Sequence, residues 1–227
     1  MRISLILLVL YLGGTLGLTS CSDDNGTGLP IDRGEDYYPV SEGRIAEYKV
    51  DSIVFNSFLE SVDTFQYYVQ LRMAGEVPDR NTPTNLVIKS IRTDTSQSWH
   101  FHSEQEVSRS ADNIIELIAN SKVIKLSFPV SDSEAWDANI YNSEDAQIYT
   151  YQEIDEPFSG EYISSDSTLR VDQGSRINEL EEIYGEEVYA RDIGLLYRIQ
   201  VDKRSDQIGQ QVPDGYECIY HLIKITP

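Results

Sequence analysis

His100 and His102 sit two residues apart in the stretch Ser98-Trp99-His100-Phe101-His102-Ser103-Glu104, with Glu104 at the same interval again. On extended backbone alternate residues share a face, so this spacing would bring two imidazoles and a carboxylate onto one metal ion. The simpler expectation uses the same alternation. Trp99 and Phe101 point into a core, while His100, His102 and Glu104 face solvent. The third histidine, His221, joins them only if the fold carries it there. The segment from Asp132 to Asp145 concentrates oxygen ligands but lacks the Asp-x-Asp-x-Asp-Gly order of a calcium loop, so it reads as a solvated turn flanking a buried Trp136. No metal or cofactor is expected. No Gly-x-Ser-x-Gly elbow, phosphate-cradling loop, His-Glu-x-x-His helix or Cys-x-x-Cys pair occurs, and no enzymatic activity is expected. A carboxylate pair for glycoside cleavage depends on a separation that sequence does not give. Fifteen tyrosines are the softer signal. Trp99, Trp136, Tyr149 and Tyr151 are the candidates for stacking a sugar or lining an apolar cavity, with packing between strands as the competing role.

The elements that must carry these residues are strands. Phe65, Tyr67, Val69 and Leu71 alternate with Gln66, Tyr68, Gln70 and Arg72; Ile124, Leu126 and Phe128 alternate with Val123, Lys125 and Ser127; Leu195, Tyr197, Ile199 and Val201 alternate with Leu196, Arg198, Gln200 and Asp202. Each is the period of a half-buried strand, with the charged member on the wet side. Further strands are expected at 46–55, 86–92, 99–107, 114–119, 147–154, 168–172 and 217–225. Turn signals such as Pro78-Asp79-Arg80-Asn81 and Pro213-Asp214-Gly215 separate them. The fold class expected is mainly β, a curled antiparallel sheet, half-barrel or barrel, with one or two short helices near Asp132–Trp136 and Arg176–Tyr184.

The first twenty residues read as an export signal, with Arg2 followed by an apolar run from Ile3 to Leu12 that glycines interrupt before it could span a bilayer. Leu18-Thr19-Ser20-Cys21 resembles a bacterial lipobox. The resemblance implies that Cys21 receives a diacylglycerol on its sulfur and, after cleavage, an acyl chain such as palmitate on its amine. Several acyl chains anchor stably at about 0.8 kcal/mol per buried methylene. Ser22-Asp23-Asp24 resembles the acidic export signal of Bacteroidota surface lipoproteins, which implies an outer-membrane protein facing the cell exterior. The organisation expected is therefore a signal at 1–20, an acidic tether at 21–36 and one β-rich domain at 37–227. A formal charge of −20, from 38 acidic against 18 basic residues, argues against nucleic acid as a partner.

Three longer stretches, "YYPVSEGRIAEYKVDSI" at 37–53, "LSFPVSDSEAWDANIYN" at 126–142 and "EEVYARDIGLLYRI" at 186–199, resemble segments of Bacteroidota lipoproteins without assigned activity. In the third, a strand turns through glycine as in exported half-barrels, with Asp192 where glycine is commoner. The resemblance implies a curled sheet like those of lipoprotein carriers or lipocalins, and a membrane partner reached through Cys21. Asp51-Ser52-Ile53 and Asp166-Ser167-Thr168 resemble acceptors for O-glycans in this bacterial group, Ser167 being the better placed in an apparent loop. The role expected is a binding or interaction module whose partner is an outer-membrane protein or a glycan. The alternatives are a periplasmic-side carrier of an acyl or other apolar ligand, and a surface glycan hydrolase.

Overall fold

The structure, a computed structural model, describes residues 31–132 and 134–227. Cys21 and the Ser22-Asp23-Asp24 signal lie outside the described residues. Asp32–Pro227 form one compact unit with its own core. That unit takes in Asp32 to Asp36, which were expected to be tether.

Twelve strands make it up: β1 (Ile45–Asn56), β2 (Ser61–Glu76), β3 (Thr84–Arg92), β4 (His100–Arg109), β5 (Asn113–Ile118), β6 (Ser121–Ser127), β7 (Ala135–Asp137), β8 (Ile148–Ser159), β9 (Ser164–Ile177), β10 (Glu181–Ala190), β11 (Gly194–Arg204) and β12 (Asp214–Thr226). They form a single antiparallel sheet in the order β6-β5-β4-β3-β2-β1-β12-β11-β10-β9-β8-β7. Every neighbour in chain order is a neighbour in space, and the first and last strands meet where β1 pairs β12.

An open sheet of this width would leave β6 and β7 as free edges, and exposed edges invite pairing with other chains. Here they are brought together. The Ile124 amide donates to the Ala138 carbonyl at 3.0 Å, Trp136 Nε1 donates to the Ile124 carbonyl at 3.1 Å, and Asn142 Nδ2 donates to the Lys122 carbonyl at 2.8 Å. Tyr151 braces the same seam, its hydroxyl accepting from the Ser127 amide at 2.8 Å and donating to the Ser127 carbonyl at 2.5 Å. The result is a nearly closed barrel.

Alternation sets which side chains face inward. On β1, Tyr48 and Val50 are buried and lie opposite Val69 and Tyr67 of β2 on one side and Leu222 and Tyr220 of β12 on the other. Cross-strand pairs of this kind are what stabilise a sheet. The core has two parts. One gathers Val107, Ile114, Leu126, Phe128, Trp136, Tyr149, Tyr151, Leu169 and Val171 against the seam. The other gathers Tyr48, Val50, Val69, Ala190, Leu196 and Leu222.

The two short helices expected near 132–136 and 176–184 are not formed. Residues 135–137 are β7, and 176–184 are the end of β9, a turn and the start of β10. Ile177, Leu180 and Tyr184 have helical spacing, yet Asn178 turns the chain by accepting the Leu180 and Glu181 amides on its Oδ1. The one helical turn among the described residues is a 3-10 turn at Glu35–Tyr37. The turn at Asp192 is supported: Asp192 (φ 60°) and Gly194 (φ 83°) both take left-handed backbone, which Asp tolerates and glycine adopts freely.

Candidate functional site: the barrel lumen

Inside the barrel, a cavity of about 390 Å³ lies beside the packed core. Its apolar wall comes from Ala46 on β1, Val69, Leu71 and Met73 on β2, Val87 on β3 and Ile118 at the end of β5. Tyr48, Tyr189 and Tyr220 add aromatic surface, and Tyr38 and Pro39 of the N-terminal segment close one part of it. The volume falls in the range of small-molecule sites, which combine apolar walls with a few placed polar groups.

Tyr38, Glu116, Tyr189 and Arg198 of the lining belong to polar networks that reach behind the cavity wall to Glu187 and Lys125. Glu187 on β10 is 1% exposed and stands directly opposite Arg198 on β11. Lys125 reaches it from β6, donating to Glu187 Oε1 at 2.6 Å, and the Tyr189 hydroxyl donates to Oε2 at 2.6 Å. Lys125 is free to do so because the β5–β6 register skips it: Ile114 pairs Leu126 and Ile115 pairs Ile124, so Lys125 is the extra residue of a bulge. Burial alone would raise the Glu187 carboxyl, but Arg198 and Lys125 outweigh it and hold the pKa down at about 2. Arg198 Nε lies 2.6 Å from Glu187 Oε1, yet its N–H is not aimed at that oxygen and makes no hydrogen bond. Desolvation would lower the Arg198 pKa, and the neighbouring Glu187 and Glu116 carboxylates raise it instead, so the guanidinium stays charged inside the lumen. Glu116, 5% exposed on β5, accepts the Tyr38 hydroxyl on Oε1 at 2.6 Å. Burial, reinforced by that carboxylate, pushes the Tyr38 hydroxyl well above its ordinary value.

The segment that closes the lumen is clamped from outside. Arg191 pairs Asp32 at 2.9 Å, Asp36 at 2.8 Å and Asp155 at 2.8 Å, and its guanidinium stands 4.5 Å from the Tyr37 ring centre. Tyr37, fully buried, donates to Asp155 at 2.7 Å. Asp155 can meet both because the β8–β9 register breaks between Gln152 and Glu156 and Asp155 takes left-handed backbone. Hydrogen bonding from Arg191 leads the influences that hold the Asp155 carboxyl below its ordinary value.

The residues singled out from sequence fall elsewhere. Trp136, Tyr149 and Tyr151 are buried core, with Trp136 packed 5.8 Å from Tyr149 and 4.6 Å from Tyr151 between ring centres. Trp99 lies under the Arg92 guanidinium at 4.1 Å. None of the four lines the lumen cavity. Phe101, expected in the core, is 65% exposed. His100, His102 and Glu104 are exposed on β4, with His102 and Glu104 on the cavity rim. His221 sits on β12 against Tyr197, Tyr162 and Glu161. Among the described residues no group of three His, Cys, Asp or Glu could hold a metal. The acidic stretch around Asp137 is a capped turn, Asp137 Oδ1 accepting the Asn139 and Gln147 amides. Ser167 is in strand β9 rather than a loop, and its hydroxyl donates to Asp155 at 2.6 Å. Ser52 is on β1 opposite Cys218, which is a free thiol whose pKa burial pushes up.

Lys125 and Arg198 depart from the expectation that the charged residues of a half-buried strand face water. Alternation assigned both to the wet face, and the structure turns both into the lumen. A barrel interior with its own polar groups breaks the rule that a charge on a strand faces bulk water. The one sequence signal was Glu187 itself, a charge that leads directly into the uncharged run Val188-Tyr189-Ala190, with which it is buried.

The fold and cavity define a mainly β protein, a twelve-stranded antiparallel barrel with a partly filled lumen. No known protein family matches the sequence and no curated protein is similar to it. Two crystal structures resemble it in fold. One is of a protein from Bacteroides fragilis inferred to be exported, with a YmcC-like fold, at 11% identity and a TM-score of 0.43, covering 84% of this chain and 98% of that one. The other is of a protein from Parabacteroides distasonis inferred to be a lipoprotein, at 10% identity and a TM-score of 0.42 over the same shares.

Proposed function

We propose that the chain is a lipid-anchored, non-enzymatic binding module of the outer membrane, facing the cell exterior, that holds a small apolar or amphipathic ligand in its barrel lumen. The lumen cavity carries this reading: about 390 Å³ inside the barrel, walled by Val69, Leu71, Met73, Val87 and Ile118 and lined by charged groups. A barrel built only to be stable would fill that space with side chains, since each buried methylene contributes about 0.8 kcal/mol. The anchor is the lipobox cysteine, Cys21. A carrier on the periplasmic side is the same molecule in the opposite orientation.

The lumen's chemistry suits binding better than glycan hydrolysis. Glu104 and Glu116 both line the cavity, but Glu116 is buried and holds the Tyr38 hydroxyl. Glycosidic cleavage needs a carboxylic acid kept protonated by a raised pKa. The most displaced carboxyls here, Glu187 and Asp155, are displaced downward by cations.

The test is binding of the neutral fluorescent probe N-phenyl-1-naphthylamine to residues 32–227, the unit that contains its own core and seam. The wild type is expected to bind with enhanced emission. Met73→Trp and Ile118→Trp, which fill the cavity from its wall and its rim, are expected to weaken binding at unchanged melting temperature. Equal binding by all three would place the probe outside the lumen and overturn the reading.

A further inference from the structure

We infer that the lumen ligand is an anionic amphiphile, a molecule with one carboxylate or phosphate-monoester head that meets Lys89 and Arg198 and an apolar body that lies along Val69, Leu71 and Met73. This rests on the lumen being the binding site. The chain as a whole carries a formal charge of −20, yet the cavity wall holds three cations, Arg44, Lys89 and Arg198, against two carboxylates, Glu104 and Glu116. One of those carboxylates is already occupied by the Tyr38 hydroxyl. The local balance is the reverse of the molecule's.

The state of the three cations strengthens the point. In a chain so rich in acids, most Lys and Arg of the described residues stand within ion-pair distance of a carboxylate, as Lys49, Arg170, Arg191 and Lys203 do. Lys89 on β3 is half-buried and forms no ion pair among the described residues. Among the described residues Arg44 donates to backbone, from Nη2 to the Asp192 and Ile193 carbonyls at 2.9 and 2.6 Å, and forms no ion pair. Arg198 shares Glu187 with Lys125 and leaves its own Nε–H unbonded. Cations in a low-dielectric lumen with incomplete partners are stabilised by an incoming anion, and charge-assisted hydrogen bonds are the stronger kind.

The wall decides against a small inorganic anion. A free phosphate would satisfy the cations but leave Ala46, Val69, Leu71, Met73, Val87 and Ile118 against water, whereas an apolar body removes that surface from water at about 25 cal/mol per Å².

Titration calorimetry of residues 32–227 at low salt, with dodecanoate, dodecyl phosphate, 1-dodecanol, dodecyltrimethylammonium and inorganic phosphate, tests this. Dodecanoate and dodecyl phosphate are expected to bind at least about tenfold more tightly than dodecanol, the ammonium more weakly than dodecanol, and inorganic phosphate not measurably. Lys89→Gln is expected to weaken the two anions about tenfold and leave dodecanol unchanged. Equal affinity for dodecanoate and dodecanol, or a Lys89→Gln variant that weakens both alike, would overturn the inference. If dodecanol then still loses binding in Met73→Trp, the lumen site survives and only its charge preference falls. Binding of phosphate as tight as that of dodecanoate overturns the amphiphile class, and no binding by any probe overturns the lumen reading together with the inference.

Discussion

Glu187 is the residue on which the interior depends. It is buried between Lys125 and Arg198 and receives the Tyr189 hydroxyl. Removing one member of a buried ionic group leaves the others uncompensated, which costs about 3–5 kcal/mol. Glu187→Ala should therefore lower stability by about that amount in chemical unfolding, far more than Glu186→Ala one residue away, whose partner Arg170 is already paired with Glu153. The same residue sets an acid limb. Its folded pKa, about 2, lies below the ordinary value of 4.5, so its contribution is complete above pH 4.5 and is lost as pH falls toward 2. Unfolding midpoints measured across that window should fall in the wild type, and fall less steeply in Glu187→Gln, which has no carboxyl to titrate there. Equal slopes would mean that Glu187 is not the titrating group.

At the level of elements, much of the barrel was legible. Alternation in Thr64 to Arg72, Val123 to Phe128 and Leu195 to Asp202 marked β2, β6 and β11 within a few residues, because each has one face against a core. What alternation could not give was closure. The seam rests on β7, three residues long, and on hydrogen bonds from Trp136, Tyr151 and Asn142 to backbone far along the chain; no local pattern encodes such contacts. It also missed the lumen, since the cavity is a space between strands remote in sequence and its charged lining looks like solvent-facing residues. The helical spacing at Arg176 to Tyr184 lost to a turn held by Asn178. Trp136 is the seam's main side chain, 8% exposed and hydrogen-bonded to β6. Trp136→Ala should destabilise by about 3–5 kcal/mol, with the earliest loss of hydrogen-exchange protection at Ile124, where the seam opens. Protection lost evenly over the sheet would show that the seam is not a separate weak point.

The whole molecule is an acidic barrel with a locally cationic lumen. At the end opposite the docked N-terminal segment, the long β1–β2, β9–β10 and β11–β12 hairpins expose Phe58, Leu59, Ile177 and Ile208. Orientation in the envelope is a property at this scale as well. Changing Asp23 and Asp24 to Ala should protect the protein from protease added to intact cells, while the wild type is cleaved; cleavage of both would remove the role proposed for the acidic signal. The central claim, that the lumen is where a ligand sits, is tested most directly by methyl NMR of residues 32–227 titrated with dodecanoate. The account predicts shifts concentrated at Val69, Leu71, Met73, Val87 and Ile118, with the seam core of Leu126, Leu169 and Val171 unmoved. Shifts confined to Leu59, Ile177 and Ile208 on the hairpins would contradict it.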